Sequence, residues 1–202
     1  MERHLVAFGR APRLGTVKTR LAAGIGTGAA WSFYRRTASR VLRPLLTDRR
    51  WRSWLAVTPD AAATGRCPWP SASRVIRQGP GNLGDRMARV MAVLPPGPVV
   101  IIGVDTPDLA PAHVEQAFRA LGECDTVFGP SADGGYWLVG LRRRPRILEI
   151  FAGVRWSTEH AFDDTIANLP AAATTAMLDE LIDIDDVEAL EHWRLAQINI
   201  RN

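Results

Sequence analysis

The sequence predicts a three-layer α/β/α domain built on a mostly parallel, mixed sheet. Short apolar runs alternate with longer segments of helical character, an order that places helices on both faces of a parallel sheet. The run Val99-Val100-Ile101-Ile102 is apolar and β-branched at every position, as in a strand covered on both sides. A length of 202 residues suits one sizeable core, so a single domain over 1–202 is expected, with no linker and no internal repeat.

The elements follow in order. Leu5-Val6-Ala7-Phe8 marks a strand over 4–9, followed by a loop containing glycine and basic residues that opens a helix. A helix over about 27–44 and a strand over about 53–57 come next. Thr58 to Ser71, with Pro59, Gly65, Pro68 and Pro70, is irregular and reads as either a flap or an insertion. Strand 73–77, helix 84–94, strand 98–104 and helix 111–121 continue the alternation. The adjacent strands 125–129 and 136–141 suggest a mixed edge, and helix 157–169, strand 173–178 and helix 186–196 complete the chain.

Hydrophobic residues make up 47% and charged residues 23%, a soluble globular balance, and no apolar run approaches the roughly 18 to 20 residues of a membrane span. Met1-Glu2-Arg3-His4 running straight into a strand does not resemble a secretory signal, so a cytoplasmic protein is expected. Cys67 and Cys124 lie far apart without C-x-x-C spacing, which argues for reduced packing residues and against a disulfide or a zinc site. The net charge of +4 is spread along the chain. Its densest run, Arg142 to Arg146, falls in a connection, and no nucleic-acid-binding signature accompanies it. Such a balance suits phosphorylated small molecules better than nucleic acid.

Two features point to chemistry. The strand 98–104 ends in Asp105-Thr106-Pro107-Asp108, and ligands of open α/β sheets gather at such strand ends. A carboxylate there suits Mg²⁺ or Mn²⁺ held against phosphates, although Asp105 and Asp108 also fit a turn that caps the helix near Pro111. Lys18 is the only lysine among 25 basic residues. A compact ammonium after a strand and a basic loop is a candidate phosphate contact; an incidental surface lysine is the plainer reading.

Four clusters are less specific. Gln78-Gly79-Pro80-Gly81-Asn82-Leu83-Gly84-Asp85-Arg86 again joins a strand to a helix; Gln78 and Asn82 carry amides able to read a base edge, while Asn82 or Asp85 also serves as a helix cap. Ser131-Ala132-Asp133-Gly134-Gly135-Tyr136-Trp137 is a hairpin turn or a platform for an acceptor. Trp156-Ser157-Thr158 sets a core or pocket-wall aromatic before a possible cap at Ser157. Asp183-Ile184-Asp185-Asp186 crowds carboxylates before the final helix; one should cap it, and another could reach Asp105.

Taken in order, Gly15-Thr16-Val17-Lys18-Thr19-Arg20-Leu21, Gln78 to Met87, Gly103 to Leu109, Gly129 to Leu141, Trp156-Ser157-Thr158 and Asp183-Ile184-Asp185 resemble a bacterial family of small nucleotide-diphospho-sugar-transferase-like proteins of the arsenosugar-biosynthesis glycosyltransferase type. The resemblance runs nearly end to end. It implies a GT-A fold, a nucleotide-binding N-terminal half, and a divalent metal, Mg²⁺ or Mn²⁺, whose ligands carry over onto Asp105 and Asp185. Arg10 stands where the family usually shows lysine, and Asp185-Asp186-Val187-Glu188-Ala189-Leu190 replaces its usual Asp-Thr-Pro-Glu-Asp-Leu. Val17-Lys18-Thr19-Arg20-Leu21 is also similar to phospholactate guanylyltransferases; the glycine-pair loop of molybdenum-cofactor guanylyltransferases is absent.

The resulting expectation is a metal-dependent transferase using a nucleotide sugar or a nucleoside triphosphate and a small-molecule acceptor. Arg10, Gly15, Lys18, Arg20, Gln78, Gly79, Asn82, Leu83, Gly84, Arg86 and Asp105 are expected at the nucleotide. Asp133, Gly134, Gly135, Tyr136 and Trp156 are expected at the acceptor, with Asp105 and Asp133 catalytic. Glycosyl transfer is favoured over guanylyltransferase-like chemistry, and a non-catalytic nucleotide-binding protein is the third reading.

Overall fold

The computed structural model describes residues 1–64, 69, 74–144 and 146–199. Seven strands, β1 (His4–Arg10), β2 (Arg52–Thr58), β3 (Val75–Arg77), β4 (Val99–Ile102), β5 (Thr126–Pro130), β6 (Tyr136–Leu141) and β7 (Thr175–Met177), form one sheet in the order β3-β2-β1-β4-β6-β5-β7. Strand side chains alternate between faces, and this alternation builds the two cores. Leu5, Ala7, Leu55, Val57, Val100 and Ile102 pack with α2 (Thr27–Thr47) and α4 (Pro111–Ala120). Val6, Ala56, Val99, Ile101 and Phe128 face the other way, against α3 (Leu83–Val93) and α5 (Ala161–Ala167). Every residue of β4 is buried, as the unbroken apolar run requires. A third cluster, Leu21, Ala30, Ile184 and Leu190, joins α1 (Thr19–Ile25) to α6 (Val187–Asn199).

All strand pairs are parallel except those of β6, which runs antiparallel between β4 and β5. The expected mixed edge is therefore corrected: the antiparallel strand is interior, and the outer strand on that side is β7. Trp137, Leu138, Val139 and Leu141 are all buried, so β6 needs cover on both faces as well as partners on both sides. The helix expected over about 27–44 is α2, and Gly26, at φ 85°, separates it from the short α1 before it. The helix expected from 157 is corrected: α5 begins at Ala161, and Ser157 takes a left-handed backbone instead of capping a helix. Of the irregular 58–71 stretch, Asp60–Ala63 forms one turn of 3₁₀ helix; Cys67 and most of its neighbours lie outside the described residues. No helix among the described residues is long and apolar enough to cross a membrane.

β1 leads outward to β2 and β3, and the chain then crosses to the other side of β1 to form β4. The carboxyl ends of β1 and β4 thus flank the topological switch point, where such sheets open a ligand crevice.

Candidate active site

Three carboxylates converge at that crevice. After β4 the chain buries Val104, which leaves Asp105 at the mouth. On the far side, Ile184 is fully buried against α1, and in an extended segment its neighbours point the opposite way; Asp183 and Asp185 therefore both turn toward Asp105. One oxygen from each of the three lies within 4.8 Å of the others. The Nζ of Lys18 sits among them, 2.6 Å from Asp185, 3.0 Å from Asp105 and 3.4 Å from Asp183.

The electrostatics of this cluster are lopsided. Burial by itself lowers the pKa of an ammonium, but Asp105, Asp183 and Asp185 outweigh it and hold Lys18 above the ordinary lysine range. Burial pushes Asp183 up to about 7; Lys18 opposes the rise, and the Asp105 and Asp185 charges add to it. The Oδ1 of Asp105 is buried and has no hydrogen-bond partner. Three carboxylates around a space already holding a cation, with the second oxygen of Asp105 left unpaired, match what Mg²⁺ or Mn²⁺ requires of a protein. Asp105, Asp183 and Asp185 are the residues that could hold it.

Two clefts meet here. One, of about 510 Å³, is lined by Arg10, Lys18, Arg20, Tyr34, Leu83 and Asp105 among others. The other, of about 380 Å³, is lined by Asp133, Gly135, Tyr136, Trp156, Glu159 and Asp183 among others. Arg20, Leu83, Ser157 and Asp185 border both. Three described residues other than glycine have a positive φ, and two of them, Lys18 at 50° and Ser157 at 63°, line the first cleft. Unfavourable backbone of this kind persists where surrounding structure imposes it, commonly at sites of function.

The walls of the first cleft are tied down. The Tyr34 hydroxyl donates to the Arg10 carbonyl at 2.7 Å and accepts from the Arg10 amide at 3.2 Å, while the Arg10 guanidinium donates to the Thr16 carbonyl at 3.0 Å. Arg20 pairs with Asp186 at 2.9 Å, and the other oxygen of Asp186 accepts from the Ala189 amide, capping α6. Gly24 lets α1 approach Val187, whose side chain a Cβ there would strike. Asp108 caps no helix; it accepts from Trp193 and Gln197 and so moors α6.

In the second cleft, Asp133 accepts from the Ser131 hydroxyl at 2.5 Å and the Gly135 amide at 3.1 Å. Gly134 does not line the cleft. Its φ of 79° and its contact with the Glu159 backbone leave no room for a Cβ, and its carbonyl accepts from the Phe162 amide, fixing the loop to α5. Trp156 stands edge-on to Tyr136, their ring centroids 6.3 Å apart.

The residues expected at the nucleotide separate into two groups. Arg10, Lys18, Arg20, Leu83 and Asp105 line the first cleft. Gln78 is 3% exposed, and its amide donates to the Gly9 and Ala56 carbonyls while its oxygen accepts from Arg86. Asn82 caps α3 in a reciprocal pair with Asp85, and the Gly79 amide donates to Asp60. Gly84 packs under Trp156 and Phe151, and Gly15 stands clear of the cleft lining at φ 77°. Lys18 reaches the carboxylates in this structure. Asp183 was missed as a candidate ligand, though its alternation with Asp185 about an apolar residue was a readable signal. Tyr34 carried none, since along α2 it looks like one more buried position.

The fold is that of the nucleotide-diphospho-sugar transferases. A structure from Desulfovibrio desulfuricans G20, provisionally named a nucleotide-diphospho-sugar transferase, is 26% identical with a TM-score of 0.85, covering 96% of this chain and 87% of that one. Two further structures share the fold. The 4-diphosphocytidyl-2C-methyl-D-erythritol synthase of Anaerococcus prevotii is 8% identical with a TM-score of 0.59 and 95% of each chain covered. Rv0371c of Mycobacterium tuberculosis H37Rv, solved in complex with manganese, is 14% identical with a TM-score of 0.55, covering 95% of this chain and 96% of that one. No curated protein sequence matches the chain. The chain belongs to the bacterial family DUF2064, described as an uncharacterized protein conserved in bacteria, whose profile matches residues 41–158.

Proposed function

We propose that the whole chain, working as one domain, is a divalent-metal-dependent glycosyltransferase that takes a sugar from a nucleotide-diphospho-sugar and passes it to a small-molecule acceptor. The observation that carries this reading is the carboxylate triad Asp105–Asp183–Asp185 standing between a basic cleft and an aromatic one. The fold shared with the Desulfovibrio protein and the manganese complex of the mycobacterial one support it.

Arg10, Lys18 and Arg20 bring positive charge to the first cleft, where a donor diphosphate would lie. Mg²⁺ or Mn²⁺, when bound, offsets negative charge growing on the departing diphosphate. Asp133, fixed through one oxygen by Ser131 and Gly135, keeps its other oxygen to orient an acceptor hydroxyl or take its proton. Tyr136 and Trp156 supply ring faces and edges against which a sugar can rest. The second cleft offers Asp133, Glu159 and Asp183 against the single cation Arg20, a setting for a hydroxylated acceptor and a poor one for a phosphoacid.

Nucleotidyl transfer is the second reading, favoured by the fold shared with the cytidyl-compound synthase. Products separate the two. Glycosyl transfer consumes a nucleotide sugar and frees a nucleoside diphosphate, and slow metal-dependent hydrolysis of the right donor is expected even without acceptor. Metal-dependent pyrophosphate release from a triphosphate, with no diphosphate from any nucleotide sugar, would establish the second reading in place of the first.

A further inference from the structure

Lys18 is the sole lysine of the chain, and its side chain is 3% exposed. Its ammonium lies within 3.4 Å of all three carboxylates, whose oxygens are themselves within 4.8 Å of one another. A divalent ion bound to those oxygens needs bonds of about 2.1 Å. Ion and ammonium cannot share that space. We propose that Lys18 is a built-in counter-ion of the carboxylate site, a tethered cation that holds the three acidic groups together until a divalent metal displaces it into the donor cleft. The proposal rests on the metal-dependent reading above.

Three features of the structure support displacement. An ammonium has three N–H donors, and here three carboxylates already surround it; the Oδ1 of Asp105 is left without a partner, whereas an octahedral ion can take up further oxygens. The Lys18 backbone is anchored, its carbonyl accepting from the Ala22 amide at 2.8 Å, so release requires rotation about the side-chain bonds and no refolding of α1. The side chain already borders the cleft shared with Arg10 and Arg20, which gives the freed ammonium a place to go. A planar guanidinium is a poor substitute among three converging oxygens, which accounts for a lysine in a chain that otherwise uses arginine. The consequence is linkage. Metal entry moves a positive charge from the triad to the cleft proposed for the donor diphosphate, so metal and donor each raise the affinity for the other.

Because no other lysine exists, the displacement can be read on one atom. The full chain is briefly acetylated at one fixed, mildly alkaline pH, and peptide mass spectrometry follows Lys18 against the exposed Met1 α-amine. Lys18 should be protected without metal, and saturating Mg²⁺ alone should speed its acetylation by about tenfold relative to the α-amine. Mg²⁺ binding is checked separately by its competition with Mn²⁺ in electron paramagnetic resonance. Bound Mg²⁺ with unchanged or slower acetylation overturns the displacement and leaves the metal site standing. Lys18→Met, where it folds, should bind Mn²⁺ about tenfold more tightly than the wild type without nucleotide; equal or weaker binding also overturns the proposal. No Mn²⁺ binding by either protein overturns the metal site itself.

Discussion

Residues 10–18 and 78–82 look alike in sequence, each a loop with glycine that leaves a parallel strand and opens a helix, yet they end in opposite states. The second is satisfied by backbone and capping partners within the fold. Asn82 and Asp85 exchange backbone hydrogen bonds at 3.0 and 2.9 Å, and the Gln78 amide is engaged by two carbonyls and Arg86. The first leaves its helix without a side-chain cap, holds Lys18 in a left-handed backbone, and directs the ammonium at residues 165 and 167 positions away. The polar groups of the second loop end on backbone carbonyls and a helix cap, an arrangement that stabilises the fold. The ammonium of the first ends instead among carboxylates at the crevice, which is why the proposed ligand site is placed beside the first loop and not the second.

This contrast can be broken by substitution. The largest effect is expected from Asp105→Asn, which keeps size and removes charge: affinity for Mn²⁺ should fall by about a hundredfold, or roughly 2.7 kcal/mol. The circular dichroism spectrum should be retained, and undiminished metal affinity would remove Asp105 from the site. Gln78→Leu should cost about 2 kcal/mol in chemical denaturation, because two backbone carbonyls lose a buried donor. Its metal affinity should stay at the wild-type level; a loss there would mean the second loop serves the site directly. Lys18→Arg keeps charge and changes shape, and affinity for the metal-loaded donor should drop by about tenfold, or about 1.4 kcal/mol. Wild-type donor affinity in that variant would make the lysine incidental. Asn82→Ala is the mildest, expected to lose about 1 kcal/mol of stability as a helix cap. If donor affinity falls and stability does not, Asn82 belongs to the nucleotide pocket after all.

What the sequence by itself determined is local. The unbroken apolar run Val99–Ile102 required a central strand, and the carboxylate just past its end marked the crevice. The cap at Asn82 or Asp85 was legible as the plainer reading of a segment expected at the nucleotide, because its bonds close within three residues. The elements of the parallel alternation were readable because each depends on its own neighbours in the chain. Tertiary structure decided the rest. The interior position of β6 follows from pairing with β4 on one side and β5 on the other, a choice that a hairpin-like sequence leaves open. Asp183 became a member of the triad only when Ile184 was buried against α1 and turned both flanking carboxylates toward Asp105. Lys18 was legible as exceptional, but its place among the carboxylates was not. Electrostatic attraction between groups so far apart in sequence acts only after the sheet and the α1–α6 contact have brought them within a few ångströms.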